Sequence, residues 1–198
     1  MTKRIVFATE NAGKIREIKA ILADMDVEVL TMKEAGIAVD IEENGKTFTE
    51  NAIIKVKTVA EYTDAIVLGD DSGLEIDYLN GEPGVYSARY MGHDTPYEIK
   101  NQKLIEKLAG VPDDKRTARF VCAIAAAMPD GEVLTTTGIM EGIIGYESRG
   151  EGGFGYDPIF FLPEYGKSSA ELTAEQKNEV SHRGKALRAM QVELLKRI

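Results

Sequence analysis

Cysteine is nearly missing from this chain: Cys122 is the only one in 198 residues. A lone thiol cannot close an internal disulfide, and Cys122 lies in an apolar run, so a reducing cytosol is the simplest setting. Positive charge is scarce as well. Lys and Arg number 24 against 33 Asp and Glu, a net charge of −9, which argues against a sequence-independent grip on DNA or RNA, because that requires clustered cations. A single nucleotide is still compatible, since a few local cations or a metal ion suffice. Long apolar runs are absent too. The N-terminal run Ile5-Val6-Phe7-Ala8 is far too short for a signal peptide or a membrane span. No repeat, low-complexity tract or linker divides the chain, so one domain over residues 1–198, with room for two lobes, is expected.

What is present centres on Gly69-Asp70-Asp71-Ser72-Gly73-Leu74. The apolar run at 65–68 reads as a buried strand, and it enters two carboxylates and a hydroxyl bracketed by glycines. Without a Cβ, glycine lets the backbone turn sharply or approach a ligand closely. A turn beyond the carboxyl end of a strand is where α/β sheets hold ligands. Neighbouring side chains on extended backbone face opposite ways, so Asp70 and Asp71 are expected to have different tasks, with one aimed into a site. The plainer reading is an acidic surface turn, and the rest of the chain decides between them.

Residues 4–8 read as a first strand, and Thr9-Glu10-Asn11-Ala12-Gly13-Lys14 as a loop. A helix follows with Ile15, Ile18, Ile21 and Leu22 at helical spacing. A helix start offers unpaired N–H groups and a positive dipole end, to which Lys14 adds a full charge, a layout suited to phosphate. Asn11 capping the helix and Lys14 solvated is the alternative. The loop is not a Walker A motif, which needs two glycines framing four residues and then Lys-Ser or Lys-Thr. Residues 28–30 form a second strand, leading to an acidic loop with Asp40, Glu42 and Glu43. Thr47 with Glu50 resembles a capping box, opening a helix with Phe48, Ala52, Val56 and Val59 on its apolar side and Lys55 beside it. Glu42 and Glu43 either complement that helix dipole or give a hard divalent cation a carboxylate shared with the Asp70-Asp71 turn.

Residues 74–78 continue as strand, and residues 80–84 are a dense turn signal. Thr95-Pro96-Tyr97-Glu98 combines a capping box with a proline at the first helical position, opening a helix that ends near Gly110. Residues 117–128 and 132–145 read as a long hairpin around Pro129-Asp130-Gly131. An antiparallel pair within a β/α alternation points to an α/β fold with a mixed sheet. Near the C-terminus, Gly152-Gly153-Phe154-Gly155-Tyr156-Asp157-Pro158 sets flat rings beside open backbone. That arrangement can seat a base by stacking, worth ~1–3 kcal/mol, with Asp157 accepting from ring N–H groups. A tight loop packing its aromatics into the core explains it equally well. Thr173 with Gln176 marks a capping box before Lys177, and Ser181-His182-Arg183 opens a final amphipathic helix.

Taken together these segments resemble the inosine triphosphate pyrophosphatase family, which hydrolyses purine nucleoside triphosphates that carry the wrong base. The matching residues are those at 9–14, Glu50-Asn51-Ala52 with Lys55, and Gly69 to Leu74. They continue through Pro83-Gly84-Val85-Tyr86-Ser87-Ala88-Arg89, Gly152 to Pro158, Lys177 and Ser181-His182-Arg183. Individually weak, they are specific in one order across nearly the whole chain. One departure is Glu10, where the family usually has a small residue and where a carboxylate would repel phosphate.

The resemblance implies a single elongated α/β domain with a long curved mixed sheet, flanked by helices in two lobes around a central cleft. It also implies a cytoplasmic homodimer that takes a purine nucleoside triphosphate and Mg²⁺. Asp71 is the implied catalytic residue and metal ligand, with Glu43 as the second carboxylate and Glu42 as the fallback. Thr9, Glu10, Asn11, Ala12, Gly13 and Lys14 would form the phosphate loop, helped by Lys55 and Ser72. Phe154, Gly155, Tyr156 and Asp157 would form the base wall, and Lys177, His182 and Arg183 would contact the base edge or the phosphate. Two other readings compete: a phosphohydrolase removing only the γ-phosphate, and a nucleotide-binding module without catalysis. The concentration of carboxylates at Glu43, Asp70 and Asp71 speaks against a pure binder. Neither acidic residue lies in an Asp-x-Asp pattern after a first strand, which disfavours a haloacid-dehalogenase-type phosphatase.

Overall fold

The computed structural model describes residues 3–197. The elements in order are β1 (Lys3–Phe7), α1 (Ala12–Ile21), β2 (Val27–Thr31), α2 (Phe48–Ala60), β3 (Ile66–Ile76) and α3 (Tyr97–Lys107). After them come β4 (Thr117–Ala127), β5 (Val133–Ile144), β6 (Phe160–Leu162), β7 (Lys167–Ser168), α4 (Ala174–Val180) and α5 (His182–Leu195). The strands form one seven-stranded sheet in the order β2-β1-β3-β4-β5-β6-β7. β1 runs parallel to β2 and to β3, which requires the helical crossovers α1 and α2. β5 and β6 are antiparallel, as are β6 and β7. The sheet is therefore mixed and the fold class α/β, as expected. No helix among the described residues is long and apolar enough to cross a membrane.

The chain resolves into two compact units. Of the described residues, unit 1 comprises 3–71, Cys122–Gly138 and 182–197; unit 2 comprises Ser72–Val121 and Ile139–Ser181. Each has its own core. In unit 1, Ile5, Phe7, Ile66, Leu68, Cys122 and Ile124 from the strands meet Ile18 and Leu22 of α1 and Ala186, Leu187, Met190 and Leu194 of α5. The other face of β3 meets α2. A Cβ at Gly69 would lie 2.9 Å from Val56 Cγ1 and 3.3 Å from Lys55 Cβ, so a bare backbone is what lets the helix sit this close. In unit 2, Leu74, Ile76, Leu104, Phe120, Met140 and Phe160 are central, and the Phe120 and Phe160 rings lie 4.5 Å apart, tilted by 45°. Arg116 is buried there too, donating to the carbonyls of Ile144, Leu108 and Gly145, each at 2.7 Å.

Four local expectations are corrected. Residues 69–73 are not a turn: β3 runs unbroken from Ile66 through them, paired with β1 at Ile66–Leu68 and with β4 as its other neighbour in the sheet, and Gly69 serves close packing against α2 instead. The strand then stops at Ile76, where a 3-10 helix (Asp77–Leu79) begins. Thr95 does not cap α3; Pro96 occupies the cap position and the Thr95 hydroxyl donates to the Met91 carbonyl at 2.7 Å. The phosphate loop is also shorter than expected, since Ala12 and Gly13 already lie in the first turn of α1.

Candidate active site

The site residues of unit 1 gather around the two aspartates of β3. The pleat sends Asp70 and Asp71 to opposite faces. Asp70 points to the α1 and α5 side, is wholly buried, and accepts from Lys14 Nζ at 3.0 Å and from Arg183 Nε and Nη2 at 3.2 Å each. The Cys122 thiol lies 3.9 Å from the same carboxylate. Burial pushes the Asp70 carboxyl up, but Lys14, Arg183 and Lys55 outweigh it and hold the group well below the usual carboxylate range. The other end of Arg183 pairs with Glu17 of α1. Arg183 is thus an internal cross-tie of unit 1, buried together with His182 at the start of α5.

Lys14 is half-buried and held in place by Asp70. Asn11 is the N-cap of α1, its Oδ1 accepting from Lys14 N at 3.0 Å, while Thr9 Oγ1 accepts from Asn11 N at 3.2 Å. Capping and a charged lysine therefore coexist at this helix start. Glu10 is exposed.

Asp71 faces α2. Its Oδ2 accepts from Asn51 Nδ2 at 2.9 Å, and Lys55 Nζ lies 3.5 Å from Oδ1. The Lys55 ammonium also reaches the Asp70 carbonyl at 2.9 Å and Glu43 at 3.0 Å. Burial raises the Asp71 pKa, opposed by Lys55 and the Asn51 hydrogen bond. Burial alone would lower that of Lys55, yet Asp71, Asp70 and Glu43 together raise it. Glu43 is the loop carboxylate on Lys55, whereas Glu42 is exposed. Among the described residues no three His, Cys, Asp or Glu side chains converge on a metal-sized position. The two carboxylates on the Lys55 ammonium, Glu43 and Asp71, are the groups that could hold a hard divalent ion.

Unit 2 holds the aromatic residues. Positive φ at Gly153 (+69°) and Gly155 (+67°) shapes their loop, and a Cβ on Gly153 would overlap the Asp157 carboxylate. Asp157 is buried, and its Oδ2 accepts from Phe154 N at 2.8 Å and Lys177 Nζ at 2.7 Å, while Oδ1 accepts from Ser169 Oγ at 2.8 Å. Lys177 Nζ lies 4.9 Å over the Phe154 ring. Tyr156 is buried, its hydroxyl donating to the Ser87 carbonyl at 2.6 Å and its ring meeting Tyr97 edge-on at 5.1 Å. Gly155 accepts from Asn101 Nδ2 at 3.2 Å through its carbonyl. Ser72 is the first residue of unit 2 and is half-buried.

The structure thus groups Lys14, Glu43, Lys55, Asp71 and Arg183 in one unit and Phe154, Asp157 and Lys177 in the other. Sequence reasoning gave no role to Asn51, Glu17, Ser169 or Asn101. Asn51 had a readable signal: with Lys55 it interrupts the buried stripe Phe48, Ala52, Val56 and Val59 of α2, and a buried polar residue demands a partner. The others bond to residues distant in sequence and left no local mark.

An α/β sheet with paired carboxylates and lysines at its centre and a glycine-framed aromatic loop defines a class of protein that handles phosphorylated small molecules. Comparison makes the class specific. The sequence profile of the Ham1 family matches residues 5–193, and the chain belongs to that family. It is 48% identical over 191 residues to a dITP/XTP pyrophosphatase of Clostridium perfringens, covering 93% of this chain and 94% of that one. To a dITP/XTP pyrophosphatase of Exiguobacterium sibiricum it is 49% identical, covering 96% of each. The Ham1 protein structure from Staphylococcus aureus superposes with a TM-score of 0.88 at 43% identity, covering 99% of this chain and 100% of that one. The resemblance drawn from the motifs therefore holds over the full length.

Proposed function

We propose that this protein is a nucleoside-triphosphate pyrophosphatase that hydrolyses dITP, XTP and ITP to the nucleoside monophosphate and pyrophosphate, with Mg²⁺ as cofactor. The observation that carries the reading is the pair Asp71 and Glu43 on one ammonium, Lys55, with Lys14 held 3.0 Å from Asp70 in the same unit. Carboxylates for a divalent cation beside lysines for a polyanion suit phosphoanhydride chemistry. Two near-full-length relatives named for this activity support it.

Roles follow from each group's surroundings. Lys14 and the start of α1 bind the triphosphate, and the Asp70 grip keeps the ammonium from folding away when substrate is absent. Thr9, Asn11, Lys55 and Ser72 assist. Asp71 has Oδ2 held by Asn51 and Oδ1 3.5 Å from the Lys55 ammonium; Oδ1 is the oxygen that takes a proton from the attacking water. The water oxygen bonds to the α-phosphorus, the bridge between α-phosphorus and the β-phosphate oxygen breaks, and pyrophosphate departs with those electrons. Glu43 and Asp71 would hold Mg²⁺, which would neutralise charge on the phosphate oxygens.

The base falls to Phe154 by stacking, and Asp157 fixes the position of both that residue and Lys177. Inosine and xanthosine carry an oxygen acceptor at the purine 6-position, where adenosine carries an amino donor. A fixed N–H donor pairs with the first and meets the second unmatched. Arg183 is committed to Asp70 and Glu17, so the donor is assigned to Lys177, beside the ring, or to backbone N–H. We also propose a homodimer and a cytosolic setting; the buried, single Cys122 agrees with the latter.

A substrate panel tests this reading. With Mg²⁺, dITP, XTP and ITP should release pyrophosphate at least about a hundredfold faster than ATP, within the range that a mismatched hydrogen bond at the 6-position can enforce. Guanosine carries the same 6-oxygen, so an equal margin over GTP requires discrimination at its 2-amino group. Equal turnover of ATP would refute the selectivity, and orthophosphate as the first product would refute the cleavage site.

A further inference from the structure

We infer that Asn51, together with Gly45, is a positioning element: it latches the loop bearing Glu43 to the carboxylate of Asp71 and so sets the spacing of the two metal-binding groups. The inference rests on the proposed roles of Asp71 and Glu43 and adds residues that those roles do not name.

Asn51 has no exposed surface. Its amide is used at both ends: Nδ2 donates to Asp71 Oδ2 at 2.9 Å, and Oδ1 accepts from Gly45 N at 2.8 Å. One end of an amide only donates and the other only accepts, so a single orientation satisfies an anionic partner on β3 and an N–H partner on the loop. No other side chain of this size does both. Aspartate would place an acceptor against an acceptor, leucine would leave both partners unpaired, and glutamine is one methylene too long.

Gly45 shows that the loop is held close. A Cβ there would sit 2.6 Å from Asn51 Oδ1, 2.8 Å from Glu50 Cβ and 2.9 Å from Asn51 N. Its own backbone is not left-handed, so the need is for space and not for an unusual turn. Glu43 lies two residues before it. Lys55, one helical turn after Asn51, joins the same loop to Asp71 ionically, through Glu43 at 3.0 Å and Asp71 at 3.5 Å. The two links differ in kind. An ammonium is a point charge that tolerates many directions, whereas the amide fixes the plane of Asp71 and the approach of the loop. Lys55 holds the carboxylates together; Asn51 decides how they face.

The test uses Asn51→Ala, Gly45→Ala and the double variant in the full-length protein. Residues that orient metal-binding groups typically shift metal affinity or activity by ~10–100-fold when removed. Both single variants should raise the Mg²⁺ concentration for half-maximal pyrophosphate release from dITP by about that factor, with KM for dITP at saturating Mg²⁺ nearly unchanged. Because both break one contact, the double variant should be no worse than the more impaired single one. Hydrogen exchange, followed without metal or substrate, should show faster exchange of residues 42–46 in each. Gly45→Ala strains the latch from the loop side without touching Asp71, and the circular dichroism spectrum and unfolding midpoint of each variant check the fold. Unchanged Mg²⁺ dependence in Gly45→Ala, additive effects in the double variant, or unchanged exchange at 42–46 would overturn the latch. The parent reading fails separately: full activity in Asp71→Asn would remove it whatever Asn51 does.

Discussion

The two units solve one problem with the same device and then diverge. Each buries an aspartate that grips a lysine: Asp70 holds Lys14 at 3.0 Å in unit 1, and Asp157 holds Lys177 at 2.7 Å in unit 2. A long, flexible lysine is fixed this way at the cost of desolvating both charges, which only good geometry offsets. Beyond that the balance differs. Around β3, the cations Lys14, Lys55 and Arg183 face the anions Glu17, Glu43, Asp70 and Asp71, three against four. In unit 2 the pair is one to one and lies against the Phe154 ring. A cluster with an unspent negative charge suits a cation-bound polyanion; a neutral pair beside a ring suits a flat, uncharged base.

The sharpest way to break this comparison is Asp71→Asn. The amide keeps the size of the side chain but cannot take the proton from water, so pyrophosphate release from dITP should fall by ~10²–10⁴-fold. Circular dichroism should remain that of the parent. Activity within a few fold of the parent would move the chemistry out of unit 1.

Asp70→Asn comes next, and its effect is on stability. It leaves Lys14 and Arg183 without their buried anion, which should cost about 3–5 kcal/mol in denaturant unfolding. The pH dependence has a definite sign. A carboxyl held low in the folded state stabilises at every pH above its unfolded value of about 3.9 and loses that contribution as pH falls toward the native value. The gap between parent and variant should therefore be full at about pH 5–8 and narrow only below ~4. A gap that widens on acidification would contradict the assignment of Asp70 as an ionised clamp.

How far these two aspartates could be read from sequence shows where such reading stops. Alternation along extended backbone was enough to expect different tasks for Asp70 and Asp71, and the structure gives them different faces and different partners. The same stretch was mistaken for a turn because glycines at 69 and 73 signal chain reversal locally, whereas here Gly69 answers to Val56, thirteen residues earlier in sequence. Element order, the hairpin at 129–131 and the caps at Thr47 and Thr173 were legible, since each depends on neighbours within a few residues. Arg183 was not. Its partners lie 113 and 166 residues away in sequence, so nothing local distinguished a buried tie from a ligand contact.

Phe154→Ala should affect unit 2 alone. Loss of a stacking ring is worth ~1–3 kcal/mol per base, so KM for dITP and XTP should rise by roughly 5–150-fold, with kcat much less affected. A fall in kcat at constant KM would mean that the ring helps to order the reacting phosphates and not the base.

The smallest effect tests whether the start of α2 stands on more than one support. Thr47 caps this helix, its hydroxyl accepting from Glu50 N at 3.1 Å. The expected reciprocal bond is replaced, because Glu50 accepts from Lys46 N at 2.7 Å, one residue before the cap. Removing the hydroxyl in Thr47→Ala should cost about 1 kcal/mol of unfolding free energy. Asn51 and Lys55 lie one and two turns further along and are anchored from outside the helix by Gly45, Glu43 and Asp71. Turnover should therefore stay within about twofold of the parent while the first turn frays, visible as faster exchange of the Glu50 amide. A large loss of activity would mean that the cap, and not the contacts to β3 and the loop, holds Asn51 and Lys55 in place, so that unit 1 owes its geometry to one helix end.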